Sequence, residues 1–136
     1  MLHPKIGEIY LMKFSGNDNE QQGWRPGVVF QNDVGNSNSP NIIALPLTSS
    51  LKKLNMPTHV LLYSSSTGLA KDSIVLCENP QRMSKSNIGR YITTLTKSDI
   101  ARIAIGNLLA SSGFAFIDKN TLLKVWEVAQ SLVNTV

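Results

Sequence analysis

Two short apolar runs, Pro26-Gly27-Val28-Val29-Phe30 and Ile42-Ile43-Ala44-Leu45, flank a polar connection rich in Asn, Gly and Ser. Both are too short for a helix that buries a face, and both are rich in β-formers, so each reads as a strand. Pro40 and Pro46 mark strand ends or edges, because proline has no N–H to give to a ladder. Antiparallel pairing brings the start of one such strand beside the end of the next. Arg25, which opens the first run, then approaches Thr48, which closes the second.

The same texture continues along the chain. Strand-like runs occupy 8–14, 27–32, 41–48, 58–63, 73–78 and 90–95. Their spacing of about 15 residues and their irregular links predict a compact, mainly antiparallel barrel. The segment 15–23, SGNDNEQQG, has no periodicity and reads as a solvated hairpin connection or a flap over a site next to Arg25.

After Leu95 the period changes. Thr96-Lys97-Ser98-Asp99 carries an N-cap and an early acid, and Ile100, Ile103, Ala104 and Leu108 continue at helical spacing to a stop at Ser111-Ser112-Gly113. A second helix is expected from near Thr121. In it Leu122, Val125, Trp126, Ala129, Leu132 and Val133 fall on one stripe, which predicts core, with an interface between chains as the alternative.

The chain has 136 residues, which suits a single domain over 1–136 with 111–136 as a helical extension. Its net charge of +4 permits a polyanionic partner. The lone cysteine, Cys77, excludes an intramolecular disulfide and a cysteine-based zinc site, and the nine acids are scattered, so no metal or cofactor site is expected. There is no apolar run of about 18 residues and no signal-peptide core, which predicts a soluble, reducing, cytoplasmic setting without a membrane.

Standard enzyme motifs are missing: no phosphate loop, no G-x-S-x-G, no H-E-x-x-H. His59 lies within a strand and is expected to be structural, and Cys77 to be a buried small hydrophobe. Arg25, Thr48, Glu78, Arg82 and the polar residues of 15–23 remain as candidates. Arginine beside threonine suits phosphoryl chemistry, because a guanidinium donates two parallel hydrogen bonds to phosphate oxygens. RNA brings its own nucleophile, the 2′-hydroxyl, so a protein needs only positioning, a proton acceptor and anion stabilisation.

Five stretches narrow this further: Gly7-Glu8-Ile9-Tyr10, Glu20-Gln21-Gln22-Gly23-Trp24-Arg25-Pro26, Gln31-Asn32-Asp33-Val34-Gly35-Asn36, Pro57-Thr58-His59-Val60 and Lys71-Asp72-Ser73-Ile74-Val75-Leu76. In this order and spacing, over about residues 6–110, the chain resembles the MazF/PemK family of toxin–antitoxin ribonucleases. The resemblance implies an SH3-like (PemK/CcdB-type) antiparallel barrel with C-terminal helices and a homodimer. It also implies cofactor-free, metal-independent cleavage of single-stranded RNA, leaving 2′,3′-cyclic phosphate and 5′-hydroxyl ends, and inhibition by a cognate MazE/PemI-like antitoxin. By that resemblance Arg25, Thr48 and Glu78 are catalytic, Glu78 matching an acidic position that lies in the RNA site in some members and acts as the base in others. RNA contacts are implied at Glu20, Gln21, Gln22, Asn32, Asn36, Lys52, Ser73, Asn79 and Arg82. The chain departs from the family pattern after Glu78, reading Asn79-Pro80-Gln81-Arg82-Met83. The alternative on the same barrel is a CcdB-like toxin that binds a protein such as gyrase without catalysis.

Overall fold

The computed structural model describes residues 3–15, 22–52 and 54–134. Seven strands, β1 (Glu8–Ser15), β2 (Gln22–Val29), β3 (Asn41–Thr48), β4 (His59–Leu62), β5 (Ser73–Leu76), β6 (Gln81–Ser84) and β7 (Ile88–Thr94), form one sheet. The order is β4-β5-β3-β2-β1-β7, and β6 pairs with β3. All pairings are antiparallel. The helices are α1 (Asp33–Asn38), α2 (Ser64–Thr67), α3 (Lys97–Ser111) and α4 (Lys119–Asn134).

β3 is the hub. β2 pairs with it through Gly27↔Pro46, Val28↔Leu45 and Val29↔Ala44. β6 takes its first half, Asn41 to Ala44, and β5 takes Leu47 and Thr48. Alternate residues feed two separate cores. Ile9, Val28, Leu45 and Leu47 join one cluster, together with Ile103 of α3. Tyr10, Val29, Ile42 and Ala44 join the other, with Met12, Phe14 and Met83. Strands buried on both faces read as unbroken apolar runs, which is why Gly27–Phe30 and Ile42–Leu45 lack alternation.

The expected strand positions hold for β1 and β3, while β2, expected over 27–32, starts five residues earlier, at Gln22, and ends at Val29. The Asn-rich connection is an ordered turn of helix. Asn32 caps α1 by accepting from Gly35 N at 2.9 Å, and buried Asn36 donates to Gln31 O at 2.8 Å and Asp33 Oδ1 at 3.1 Å. Gly7 adopts φ 87°, a region where side chains are strained, and a Cβ there would collide with Ile100 of α3. Its N–H and C=O tie β1 to Val29 O and Leu95 N.

α3 starts where the cap predicts, with Thr96 Oγ1 accepting from Asp99 N at 3.1 Å. α4 begins two residues before Thr121, because Asp118 caps it by accepting from Thr121 N and Oγ1. Its stripe is not core in this chain. Trp126 is 59% exposed and Leu123, Val125, Val128 and Val133 are also open, with only Leu122 and Leu132 half-buried. α4 meets α1 rather than the barrel cores. Among the described residues no helix is long and apolar enough to cross a membrane.

Candidate active site

β2 and β3 diverge beyond Gly27↔Pro46, where both strands carry proline and the ladder loses its donors. Continued by two residues, the same register sets Arg25 opposite Thr48. Both side chains line a cavity of about 200 Å3, together with Pro26, Leu47, Ser49, Leu69, Ala70, Lys71 and Ser73. Arg25 is also fixed from the other side, since β1 pairs Met12 with it. A side chain on a strand flanked by two others is held more precisely than one on a loop.

The charge in this cavity is one-sided. Among the described residues, Arg25 and Lys71 line it and no carboxylate does. Arg25 Nη1 is buried and has no hydrogen-bond partner among the described residues. A buried, unpaired donor on a permanent cation costs a large part of its hydration, so the arrangement calls for an acceptor from outside. Thr48 Oγ1 accepts from Ser50 N at 3.1 Å, which leaves its own hydrogen to donate. Ser73 Oγ donates back to Lys71 O at 3.0 Å and shapes the turn that carries the lysine. Two donors with a neighbouring ammonium over an apolar floor of Pro26, Leu47 and Leu69 suit a tetrahedral oxyanion.

The model of PemK-like, MazF-like toxins of type II toxin–antitoxin systems matches residues 5–106. The chain belongs to the MazF/PemK family. It is 35% identical over 98 residues to "Endoribonuclease MazF" of Staphylococcus epidermidis, covering 71% of this chain and 82% of the relative, and equally so to that of Staphylococcus saprophyticus. Among solved structures, MazF (Form-I) from Deinococcus radiodurans superposes with TM-score 0.70 at 20% identity, over 82% of this chain and 99% of that one. An endoribonuclease in complex with its cognate antitoxin from Mycobacterial species gives 0.67 at 21% identity, over 81% and 96%. These likenesses establish the fold, mainly β with C-terminal helices on a MazF-type antiparallel barrel. The family model ends at Ile105-Gly106 within α3, so α4 lies beyond it.

Of the residues expected at a MazF-type site, Arg25, Thr48 and Ser73 come together in the cavity. Lys52 is exposed four residues beyond Thr48. Glu20 and Gln21 lie outside the described residues, and Gln22 opens β2. Asn32 and Asn36 sit at the α1 turn, at the other end of β2 and β3 from Arg25, with their amides engaged internally. Glu78 and Asn79 follow the far end of β5 from Ser73, about 10 Å of strand away, and do not line the cavity. Arg82 pairs with Ile43, again on the other half of β3. With the Asn41 amide turned so that its oxygen faces the guanidinium, that oxygen accepts from Arg82 Nε at 3.2 Å and Nη2 at 2.8 Å.

Lys71 and Ser49 were not singled out from the sequence. Lys71 stands in the Lys71-Asp72-Ser73 stretch that carries the family resemblance, two residues before Ser73, and that proximity was the available signal. Among the described residues no three His, Cys, Asp or Glu side chains gather as metal ligands would.

Proposed function

We propose that this chain is a sequence-specific endoribonuclease toxin that cleaves single-stranded RNA at the Arg25–Thr48 cavity. The observation that carries the reading is the buried Arg25 Nη1, without a partner among the described residues, in a cavity that those residues line with Thr48 and Lys71 and with no acid. A phosphodiester supplies the acceptor that this nitrogen lacks. The 2′-oxygen of the preceding ribose attacks phosphorus, the P–O5′ bond breaks, the 2′-hydroxyl proton passes to an acceptor and the departing 5′-oxygen takes up a proton. The products are a 2′,3′-cyclic phosphate and a 5′-hydroxyl. Arg25 donates to the non-bridging oxygens as their charge grows, Thr48 orients the same phosphate, and Lys71 adds positive potential at the rim. This scheme needs no metal.

The family description and the relatives named MazF support the ribonuclease reading. A cognate antitoxin, acidic and ordered on binding, is the expected inhibitor, since solved MazF-type chains include toxin–antitoxin complexes and this chain is cationic. A homodimer in the cytoplasm is the expected working form. Incubating the purified protein with a long RNA in EDTA tests the proposal. Discrete cuts ending in cyclic phosphate agree with it, whereas intact RNA, or cuts that vanish with the metal, contradict it.

A further inference from the structure

His59, the first residue of β4, was expected to be a structural histidine, and its side chain is only 2% exposed. Its Nε2 nevertheless lies 2.9 Å from Oε2 of Glu78, a side chain 41% exposed. A buried ring thus holds one oxygen of a surface carboxylate. The oxygen the ring holds is Oε2, which leaves Oε1 as the second oxygen of the carboxylate.

The turn carrying Glu78 is fastened on several sides. Cys77 N donates to Thr58 O at 3.0 Å, Asn79 N to Leu76 O at 3.1 Å, and Asn107 Nδ2 of α3 to Cys77 O at 3.0 Å. α3 approaches so closely at Gly106 that a Cβ there would lie 3.0 Å from Cys77 Sγ. An exposed glutamate would ordinarily sample many rotamers at a cost in entropy to any partner that fixes it. Here the fixing is already done by the fold, which is the property of a recognition group.

Its place relative to the cavity decides what it can recognise. β5 pairs with Leu47–Thr48 and β6 with Asn41–Ala44, so the Cys77–Pro80 turn joins them beside Leu45–Pro46. Two to three residues of β3 separate that point from Thr48, about 7–10 Å. Glu78 of the same chain therefore meets a nucleotide adjoining the one whose phosphate Arg25 holds. A carboxylate repels phosphate and only accepts hydrogen bonds, so what it can take from RNA is an N–H on a base edge.

We infer that His59 is a positioning residue for base selection: it holds Glu78 so that Oε1 accepts an N–H from an unpaired base beside the cleaved linkage. This rests on the endoribonuclease reading. The test is to cut a random-sequence RNA with wild type, Glu78→Gln, His59→Leu and His59→Gln, and to sequence the ends. Glu78→Gln shifts the preference at one position of the cut sequence by about tenfold, within the range of a good base contact. His59→Leu produces the same shift at the same position, the double variant adds nothing to it, and His59→Gln, which keeps an N–H on a long arm, retains the wild-type preference. If His59→Leu does not fold, His59→Asn, whose shorter arm falls short of Glu78, takes its place. A His59 variant that loses stability or overall rate while keeping the base preference overturns the proposal and leaves the histidine structural. Loss of all cutting in Glu78→Gln overturns it in favour of a role in the chemistry. Wild-type protein that leaves RNA intact sinks the ribonuclease reading itself, whereas normal cutting with unchanged preference in every variant sinks this inference alone.

Discussion

Arg25 and Thr48 each lie two residues beyond the last paired position of the β2–β3 ladder, Gly27↔Pro46, and line one cavity. The prolines at 26 and 46 release the strands there, while the buried pairs Val28↔Leu45 and Val29↔Ala44 keep the register. The cavity is thus a by-product of how the ladder ends, and its two donors are placed by the core beneath them.

The hydroxyl of Thr48 is expected to matter more than its methyl. Thr48→Ala should slow RNA cleavage by roughly 10²-fold, the usual loss for one donor at a developing oxyanion. Thr48→Ser should keep most of the rate, because Ser50 N can still donate to the hydroxyl oxygen. Single-turnover rates on a short RNA check this; equal losses in both variants would assign the effect to packing.

Gly27 provides the room that lets β2 cross the second core. An added Cβ would lie 2.8 Å from Met12 Sδ and 2.8 Å from Phe14 Cζ. Gly27→Ala is therefore expected to cost about 1–3 kcal/mol, read as a lower urea midpoint with unchanged slope. A variant as stable as wild type contradicts the packing described.

Stability should fall at alkaline pH. Burial pushes the Cys77 thiol up from 9.0 to about 12, with Glu78 adding to it. Burial, then a hydrogen bond to Glu8, raises the Tyr10 phenol from 10.0 to about 12. Both groups are neutral when protonated, and the folded state favours that form. Their contribution is whole below pH 9 and is lost as the pH rises towards 12. Melting temperature measured from pH 8 to 11 should decline, less steeply in Cys77→Ala. Identical slopes for both proteins would show that the thiol is not involved.

Deleting residues 119–136 should cost an isolated chain no more than about 3 kcal/mol, since full burial of a leucine is worth about 1.5–3 kcal/mol and, among the described residues of α4, the apolar side chains of Leu122 and Leu132 alone are half-buried. Chemical unfolding at two protein concentrations checks it. A larger loss that grows with protein concentration would mean that Trp126 and its stripe are buried between copies.

Much of this architecture is legible in the chain because its strands are short and apolar and its α3 cap is unambiguous. β3 spans 41–48 as its composition indicates, and Thr96 caps α3. What the sequence conceals has physical causes. β6 carries one buried residue, Met83, and exists because β3 offers it an edge. The Asn-rich connection folds into α1 through side-chain hydrogen bonds, which leave no hydrophobic period to read. The α4 stripe has a helical period, yet periodicity cannot tell a face that packs within the chain from one left open. For the site, the pairing of Arg25 with Thr48 follows from strand direction. The separation of Glu78 from them does not, because it depends on which end of β5 pairs with Thr48.

The most direct test is the rate of RNA cleavage by Arg25→Ala in EDTA, beside its RNA affinity. Loss of an oxyanion donor predicts a fall of at least about 10²–10³-fold in rate, with far less change in binding. Arg25→Lys should recover little, since an ammonium does not reproduce the planar fork. A folded Arg25→Ala protein that cuts at near the wild-type rate would contradict the assignment of this cavity as the active site.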